Sequence, residues 1–398
     1  MLCLLLRFEL VYYGLYKCNR TRLQDFEHLP QYLRDLAHSA DIEDTIDREA
    51  IKRHHYADEP LINPKGLVPR GRGLDLRLPH DRAVRFAAVE LESLGTEEAA
   101  SASRRKGEWV RPRSAHRDVI STDGSTPFPA EAGRYHLYIA NNCPWCHRVA
   151  LARSMLGLDE VISMDVLFYR RDPERGWQFR PSEPGCTPDT IHGYTFIRQL
   201  YEKLGSTEKS VPVLYDRVTG SIVNNESAQI VRMLGQAFAP LGHGGLDLYP
   251  VEHRDEIDRI NAWVYTEINN GAYKAGFAST QAAYAMAYDR LFAAFDALDE
   301  RLAVRPFLVG PAPTEADLRL YPTLFRFDHV YYTRFRLDHK MVRDYPHLQR
   351  WLEAMSAWPG VAPASNLEHC KRGYFGRTGN NIVPLGPALT NADGGDAT

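Results

Sequence analysis

The chain has 398 residues, 44% of them hydrophobic and 25% charged, with a formal net charge of −3. That length and balance describe a globular protein of two or three domains, and the absence of a basic stripe able to neutralise a run of phosphates gives no support to nucleic-acid binding. No window approaches the roughly 18 to 20 apolar residues of a membrane span, and the opening run Met1 to Leu6 is cut short by Arg7 without a small-residue cleavage site, so the expected location is cytoplasmic.

The first signal along the chain is an internal repeat. Leu5 to Leu36 lies without gaps on Leu324 to Met355 at a constant offset of 319 (324 − 5), and ten of those 32 positions are identical. Chance would give roughly two. The same offset pairs Lys52-Arg53 with Lys371-Arg372, and after a small deletion Val68-Pro69 answers Val383-Pro384. Residues 1–90 therefore read as a partial duplicate of the chain's own C-terminal helical end. The duplicate brings no thiol-bearing half, so it forms no second active site; its helix is expected to dock on the other domain or on a partner subunit, or to be a partly exposed fusion remnant. From Glu90 to about Thr126 the composition turns polar and Gly/Ser-rich, which predicts a linker and irregular lead-in over 91–126, with the catalytic unit starting near Gly107.

From Arg134 strands and helices alternate. Tyr135 to Ala140, "YHLYIA", predicts a strand, and the apolar stretch after Cys146 predicts a helix. There follow a strand over Val161 to Phe168, a helix around Tyr194 to Leu204, a strand over Val211 to Asp216, a turn at Thr219-Gly220, a strand "SIVNN" and a helix from Glu226. The order β-α-β, β-hairpin, helix is that of a thioredoxin-like sheet, placed here over 127–245.

Between the first strand and helix stands "NNCPWCHR", residues 141–148. Cys-x-x-Cys serves redox chemistry and metal binding, and Cys-x-x-Cys-His marks covalent haem attachment. Haem needs an export route and an axial ligand that the sequence does not advertise; zinc needs a second close pair, which the remaining cysteines (Cys3, Cys18, Cys186, Cys370) and scattered histidines do not make. So few cysteines also fit a reducing compartment. At the mouth of a helix Cys143 is favoured as a thiolate by the N-terminal N–H groups and dipole, Pro144 suits the first turn, and His147 with Arg148 is expected to add positive potential. Cys146, one turn deeper, either resolves a mixed disulfide or packs as a small apolar side chain. Pro212, opening a strand after Val211, is expected to be cis, leaving the Val211 backbone to pair with a bound peptide. Glu226-Ser227 opens a helix whose N–H groups and hydroxyl suit a carboxylate while Glu226 suits an ammonium group.

Together "GRYHLYIANNCPWCHRVALAR", "GWQF", "VPVLYDRVTGSIVNNESAQIVRML", "NNGAYKAGFASTQAAY" and "RFDHVYY" resemble the Xi-class glutathione transferases, the glutathionyl-hydroquinone reductases, from about Gly107 to about Pro387. The resemblance implies an α/β thioredoxin-like domain followed by an all-α glutathione-transferase C-terminal domain, here 246–390, ahead of a disordered tail at 391–398. It implies a homodimer, glutathione as co-substrate with no bound cofactor or metal, and a quinone-type substrate. The implied reaction, a detoxification step, is reductive deglutathionylation through an enzyme–glutathione disulfide. Position by position it makes Cys143 the nucleophile and lays Trp177 along glutathione. The Val211 backbone pairs with the glutathione cysteine, Glu226 and Ser227 hold its γ-glutamyl end, and Tyr273 and Tyr331 point phenols at the quinone oxygen. Two departures stand out. Cys146 replaces the usual alanine, which opens a glutaredoxin-like disulfide or dehydroascorbate reductase route through Cys143 and Cys146, or another low-molecular-weight thiol. The stretch Arg334 to Asp338 has diverged, which alters the acceptor pocket or the dimer contact, while Leu15 to Asn19 in the duplicate keeps the family wording. A non-catalytic scaffold on the same body is the alternative of another class.

Overall fold

The computed structural model describes residues 2–26, 29–38, 42–78, 109, 114–376 and 382–387. Most of the expected linker, Gly107 and the expected tail lie outside these residues.

The aromatic and β-branched run Tyr135–Ile139 forms β1, buried along its whole length at the centre of a four-stranded sheet of order β2-β1-β3-β4. Ser163–Val166 (β2) lies parallel to β1, which requires a crossover connection, and the helix Pro144–Met155 supplies it. Val213–Asp216 (β3) is antiparallel to β1 and hairpins at Gly220, which has the φ of 68° that such a turn favours in glycine, into Ser221–Asn224 (β4). The helix Ser227–Gln236 packs beside Pro144–Met155. This is the thioredoxin-like half.

Three elements are shorter than their sequence pattern, each for a local reason at its start. The expected helix from Tyr194 starts at Ile197, since Asp189 takes the N–H groups of Ile191, His192 and Tyr194, and Gln199 takes those of Thr195 and Phe196. β2 starts at Ser163 because Val161 and Ile162 close a turn onto the Leu158 carbonyl. β3 starts at Val213, after the cis Val211-Pro212 bond. The lead-in has more order than its composition suggests: it runs along the free edge of β4, with Asp118 N–H donating to the Val223 carbonyl (2.9 Å) and Asn225 N–H to the His116 carbonyl (3.1 Å). It thereby covers an edge that would otherwise expose unpaired backbone groups.

The second half is helical: Arg254–Trp263, Asn270–Gly276, Gln281–Leu302, Glu315–Phe325, Pro346–Ser356 and Leu367–Phe375. Its centre is Trp351, fully buried, whose indole N–H donates to Asp317 (2.8 Å); the same carboxylate accepts from the Leu308 and Thr314 N–H groups. Glu315–Phe325 packs on Pro144–Met155, so the helix carrying the cysteines is sandwiched between the two halves. No described helix is long and apolar enough to cross a membrane.

Residues 2–78 pack on the chain's own helical half and repeat the local structure of its end. Phe8–Tyr12 and Phe327–Tyr331 are both π-helical turns (327 − 8 = 319). Leu23–Asp25 and Val342–Asp344 are both 3₁₀ turns, and the helix Arg48–Ala57, capped by Asp47, answers Leu367–Phe375, capped by Asn366.

Candidate active site

Cys143 is the N-cap of the helix Pro144–Met155, with Pro144 in the first turn where a missing N–H costs nothing. Its sulfur lies 4.0 Å from the Val211 carbonyl oxygen, and the residue, 9% exposed, lines a cleft of about 610 Å³ between the two halves. The thioredoxin-like side contributes Cys143, Trp177, Val211, Glu226 and Ser227, and the helical side contributes Tyr265, Tyr273, Phe277, Phe335 and Tyr374.

Cys146 is fully buried beneath and hydrogen-bonds Cys143; burial, with the neighbouring Cys143 sulfur adding to it, pushes its thiol well up. It is a protonated S–H group at neutral pH, and neither cysteine is in a disulfide. His147 supplies no positive potential, contrary to expectation. Burial, and then the Arg326 cation, hold its imidazole well below its ordinary value. Because the Arg326 guanidinium donates to Nδ1 (3.1 Å), the ring proton sits on Nε2, facing the Ser365 hydroxyl at 3.0 Å. Arg148 makes its contacts with Ser227, Glu226 and Trp145: its guanidinium donates to Ser227 Oγ (2.6 and 3.0 Å), lies 3.5 Å from Glu226 and stacks over Trp145 at 4.8 Å. Burial lowers its ionisation range, Arg319 adds to that, and Glu226 opposes it.

On the thiol side, Glu226 caps the helix Ser227–Gln236 through the Ala228 N–H (3.2 Å) and lies 3.4 Å from the Ser114 hydroxyl. Ser227, accepting twice from Arg148, has its own O–H left to donate into the cleft. Trp177 also lines the cleft, its carbonyl tied to the Ile197 N–H (3.0 Å).

On the helical side three phenols meet. Tyr374 contacts the Tyr273 hydroxyl and lies 3.2 Å from that of Tyr331. Tyr331 is 0% exposed and stacked on Phe335 (4.7 Å, 11°), so it does not line the cleft itself but stands behind Phe335, Tyr273 and Tyr374, which do. Burial raises the Tyr331 and Tyr374 phenols well above their ordinary value, Tyr273 adds to it, and Arg326 opposes it; both are proton donors, not phenolates, near neutrality. Trp145 bridges the two sides, with its ring 6.3 Å from that of Tyr273 and 5.9 Å from that of Tyr265.

Known proteins resemble the chain in sequence and in fold. Residues 142–237 match the family model for the glutathione S-transferase N-terminal domain, and 281–354 match that for the C-terminal domain. The glutathionyl-hydroquinone reductase PcpF of Sphingobium chlorophenolicum is 42% identical over 289 residues, 71% of this chain and 90% of that protein. The Escherichia coli K-12 glutathionyl-hydroquinone reductase YqjG is 40% identical over 292 residues, 70% of this chain and 88% of its own length. Its glutathione-bound structure superposes with a TM-score of 0.67, and the Xi transferase of Phanerochaete chrysosporium also gives 0.67 at 39% identity, covering 70% of this chain and 97% of that one. The chain belongs to the Xi class of glutathione transferases. It is an enzyme of that family, and glutathione is its co-substrate.

Several residues around the cleft of this Xi-class transferase carry no signal in the sequence. Tyr374 and Tyr265 are two among 21 tyrosines and sit in no distinctive motif. Trp109, in the polar lead-in, packs against Tyr273 (5.6 Å) and Phe277 (5.9 Å). Gly373 lies so close to Asn142 that any side chain would displace the residue preceding Cys143. The diverged stretch Arg334 to Asp338 falls partly on the cleft, through Arg334 and Phe335.

Proposed function

We propose that the chain reduces glutathionyl-hydroquinones, with Cys143 as nucleophile and a tyrosine of the helical side as proton donor. The observation that carries this is a single cleft in which a sulfur at a helix N-terminus faces the phenols of Tyr273 and Tyr374. Glutathione lies along the thioredoxin-like side. Its γ-glutamyl ammonium group pairs with Glu226, the adjoining carboxylate takes the Ser227 hydroxyl and helix N–H groups, and its cysteine backbone pairs with Val211 beside Trp177. Arg171, Lys209 and Arg334 add positive charge around a cleft that receives an anionic tripeptide.

The Cys143 thiolate attacks the glutathione sulfur, forming an S–S bond as the sulfur–aryl bond breaks. The departing electron pair stays on the aryl carbon, which takes a proton from Tyr273 or Tyr374, with Tyr331 completing the phenol chain behind them. A second glutathione thiolate attacks the glutathione sulfur of the mixed disulfide, giving glutathione disulfide and returning Cys143. The sum is one thioether and one glutathione in, one hydroquinone and one glutathione disulfide out. Cys146, fully buried and protonated, supports a monothiol route as an S–H donor to the Cys143 thiolate.

The test is turnover of a glutathionyl-hydroquinone with glutathione: hydroquinone and glutathione disulfide should appear in equal amounts. Reduction of dehydroascorbate or a disulfide with no action on the thioether would contradict this reading in favour of a glutaredoxin-like one, and no turnover of either would leave a scaffold.

A further inference from the structure

The contacts between residues 2–78 and the helical end of the chain are reciprocal. Tyr13 meets Tyr332, its own counterpart at offset 319 (332 − 13), with ring centroids 5.8 Å apart. Arg22 pairs with Asp344 (2.6 Å), while Arg343 pairs with Asp25 (2.5 Å), the counterpart of Asp344 (344 − 25 = 319), although the two arginines do not themselves correspond at that offset. Gly71 N–H donates to Asp338 (3.0 Å), and Gly386 N–H donates to Asn19 (3.2 Å), the counterpart of Asp338 (338 − 19 = 319). At both glycines a side chain would run into the partner's backbone. Lys17 reaches the Ile382 carbonyl (3.1 Å), while Arg336 reaches Asn63; Lys17 and Arg336, again 319 apart, are the two described non-glycine residues with positive φ, 61° and 58°.

A surface on which residue i touches j while the counterpart of j touches the counterpart of i, with one residue meeting itself on the axis, is an isologous two-fold interface. Here both halves belong to one chain. We infer that the described residues of the helical end, 327–376 with 382–386, are a self-complementary docking face, and that the described residues among 5–71 occupy it as a built-in substitute for a second copy. The chain thus carries its partner's contact surface in cis and is a monomer with one thiol site, in place of the homodimer that its resemblance implies.

Sedimentation equilibrium over a wide concentration range tests this on two proteins, the full chain and a body beginning at Ser114. Xi-class structures matched over 86–100% of their length by about 70% of this chain show that such a body folds without the added segment. The full chain should have the mass of one chain at every concentration and the shortened body twice its own. A dimeric full chain, or a monomeric shortened body, would overturn the inference. Should the bared face make the shortened body insoluble, Arg22→Glu in the full chain reads the same equilibrium: rapid proteolysis of the released segment should accompany a shift towards twice the mass. A variant whose segment is released yet stays monomeric refutes the inference, and so does one dimeric with its segment still protected.

Discussion

The π-helical turns Phe8–Tyr12 and Phe327–Tyr331 each end on one ring of an aromatic trio, and the two trios, at corresponding positions, have different surroundings. Tyr331, Phe335 and Tyr374 lie 4.7 to 5.7 Å from one another. Their counterparts 319 residues earlier, Tyr12, Tyr16 and His55, lie 5.7 to 6.3 Å apart. The later trio backs the cleft opposite Cys143. None of the earlier three lines that cleft, and Tyr16 is 40% exposed. Arg326, buried under the cysteine helix, donates to the Pro322 carbonyl as its counterpart Arg7 does to that of Cys3 (2.9 Å), yet only Arg326 also reaches His147 and Cys370. The same scaffold is thus built twice and given chemistry once. What separates the copies is the half brought against them, which is how function attaches to a site and not to a fold.

That contrast can be broken or sharpened by substitution. Removing the thiol should have the largest effect: Cys143→Ser should lower kcat/KM with a glutathionyl-hydroquinone by at least about 10³-fold, measured as hydroquinone release. Next, Tyr374→Phe and Tyr273→Phe should each lower kcat by about 10²-fold while leaving KM for glutathione little changed, whereas Tyr12→Phe in the other copy should leave both constants alone. Equal losses from Tyr12→Phe and Tyr374→Phe would erase the distinction between the copies. Glu226→Gln should raise KM for glutathione about tenfold with a small effect on kcat, as expected for one lost charge-assisted hydrogen bond. Cys146→Ala should cost less than about tenfold in kcat, since it removes a donor and not a reactant; a loss equal to that of Cys143→Ser would establish the dithiol route instead.

The smallest effect concerns Asp338 and its uncharged counterpart Asn19. Burial pushes the Asp338 carboxyl from 3.8 up to about 6, against the opposing pull of the Gly71 N–H and Lys52. The folded state therefore holds this proton more tightly than the unfolded chain does. Its contribution to stability is present below about pH 4 and is lost as pH rises through about 6. Asp338→Asn, which copies the N-terminal residue, should flatten the dependence of melting temperature on pH across that window. An unchanged slope would show that Asp338 is ionised there.

The thiol side of the cleft was legible because its parts are local. Cys143 with Pro144, Val211 with Pro212, and Glu226 with Ser227 each pair a chemical group with the backbone start that positions it, within two residues. The helical side was legible only in part. Tyr273 reaches the cleft, but Tyr331 stands behind Tyr374, because which face of a helix meets a cavity depends on packing between segments 43 to 101 residues apart. His147 misled for the same reason: its charge is set by burial in the assembled fold and then by Arg326, 179 residues away, and not by its place in the motif. The repeat was visible in the identities at offset 319, whereas its docking depended on contacts such as Tyr13 with Tyr332 that no single segment encodes.

The most direct test of the catalytic account is the mass of the enzyme after reaction with one equivalent of a glutathionyl-hydroquinone in the absence of free glutathione. The account predicts release of the hydroquinone and addition of one glutathione to the peptide bearing Cys143, removable by added glutathione and absent in Cys143→Ser. Hydroquinone release with no adduct on that peptide, or with an internal Cys143–Cys146 disulfide in its place, would contradict it.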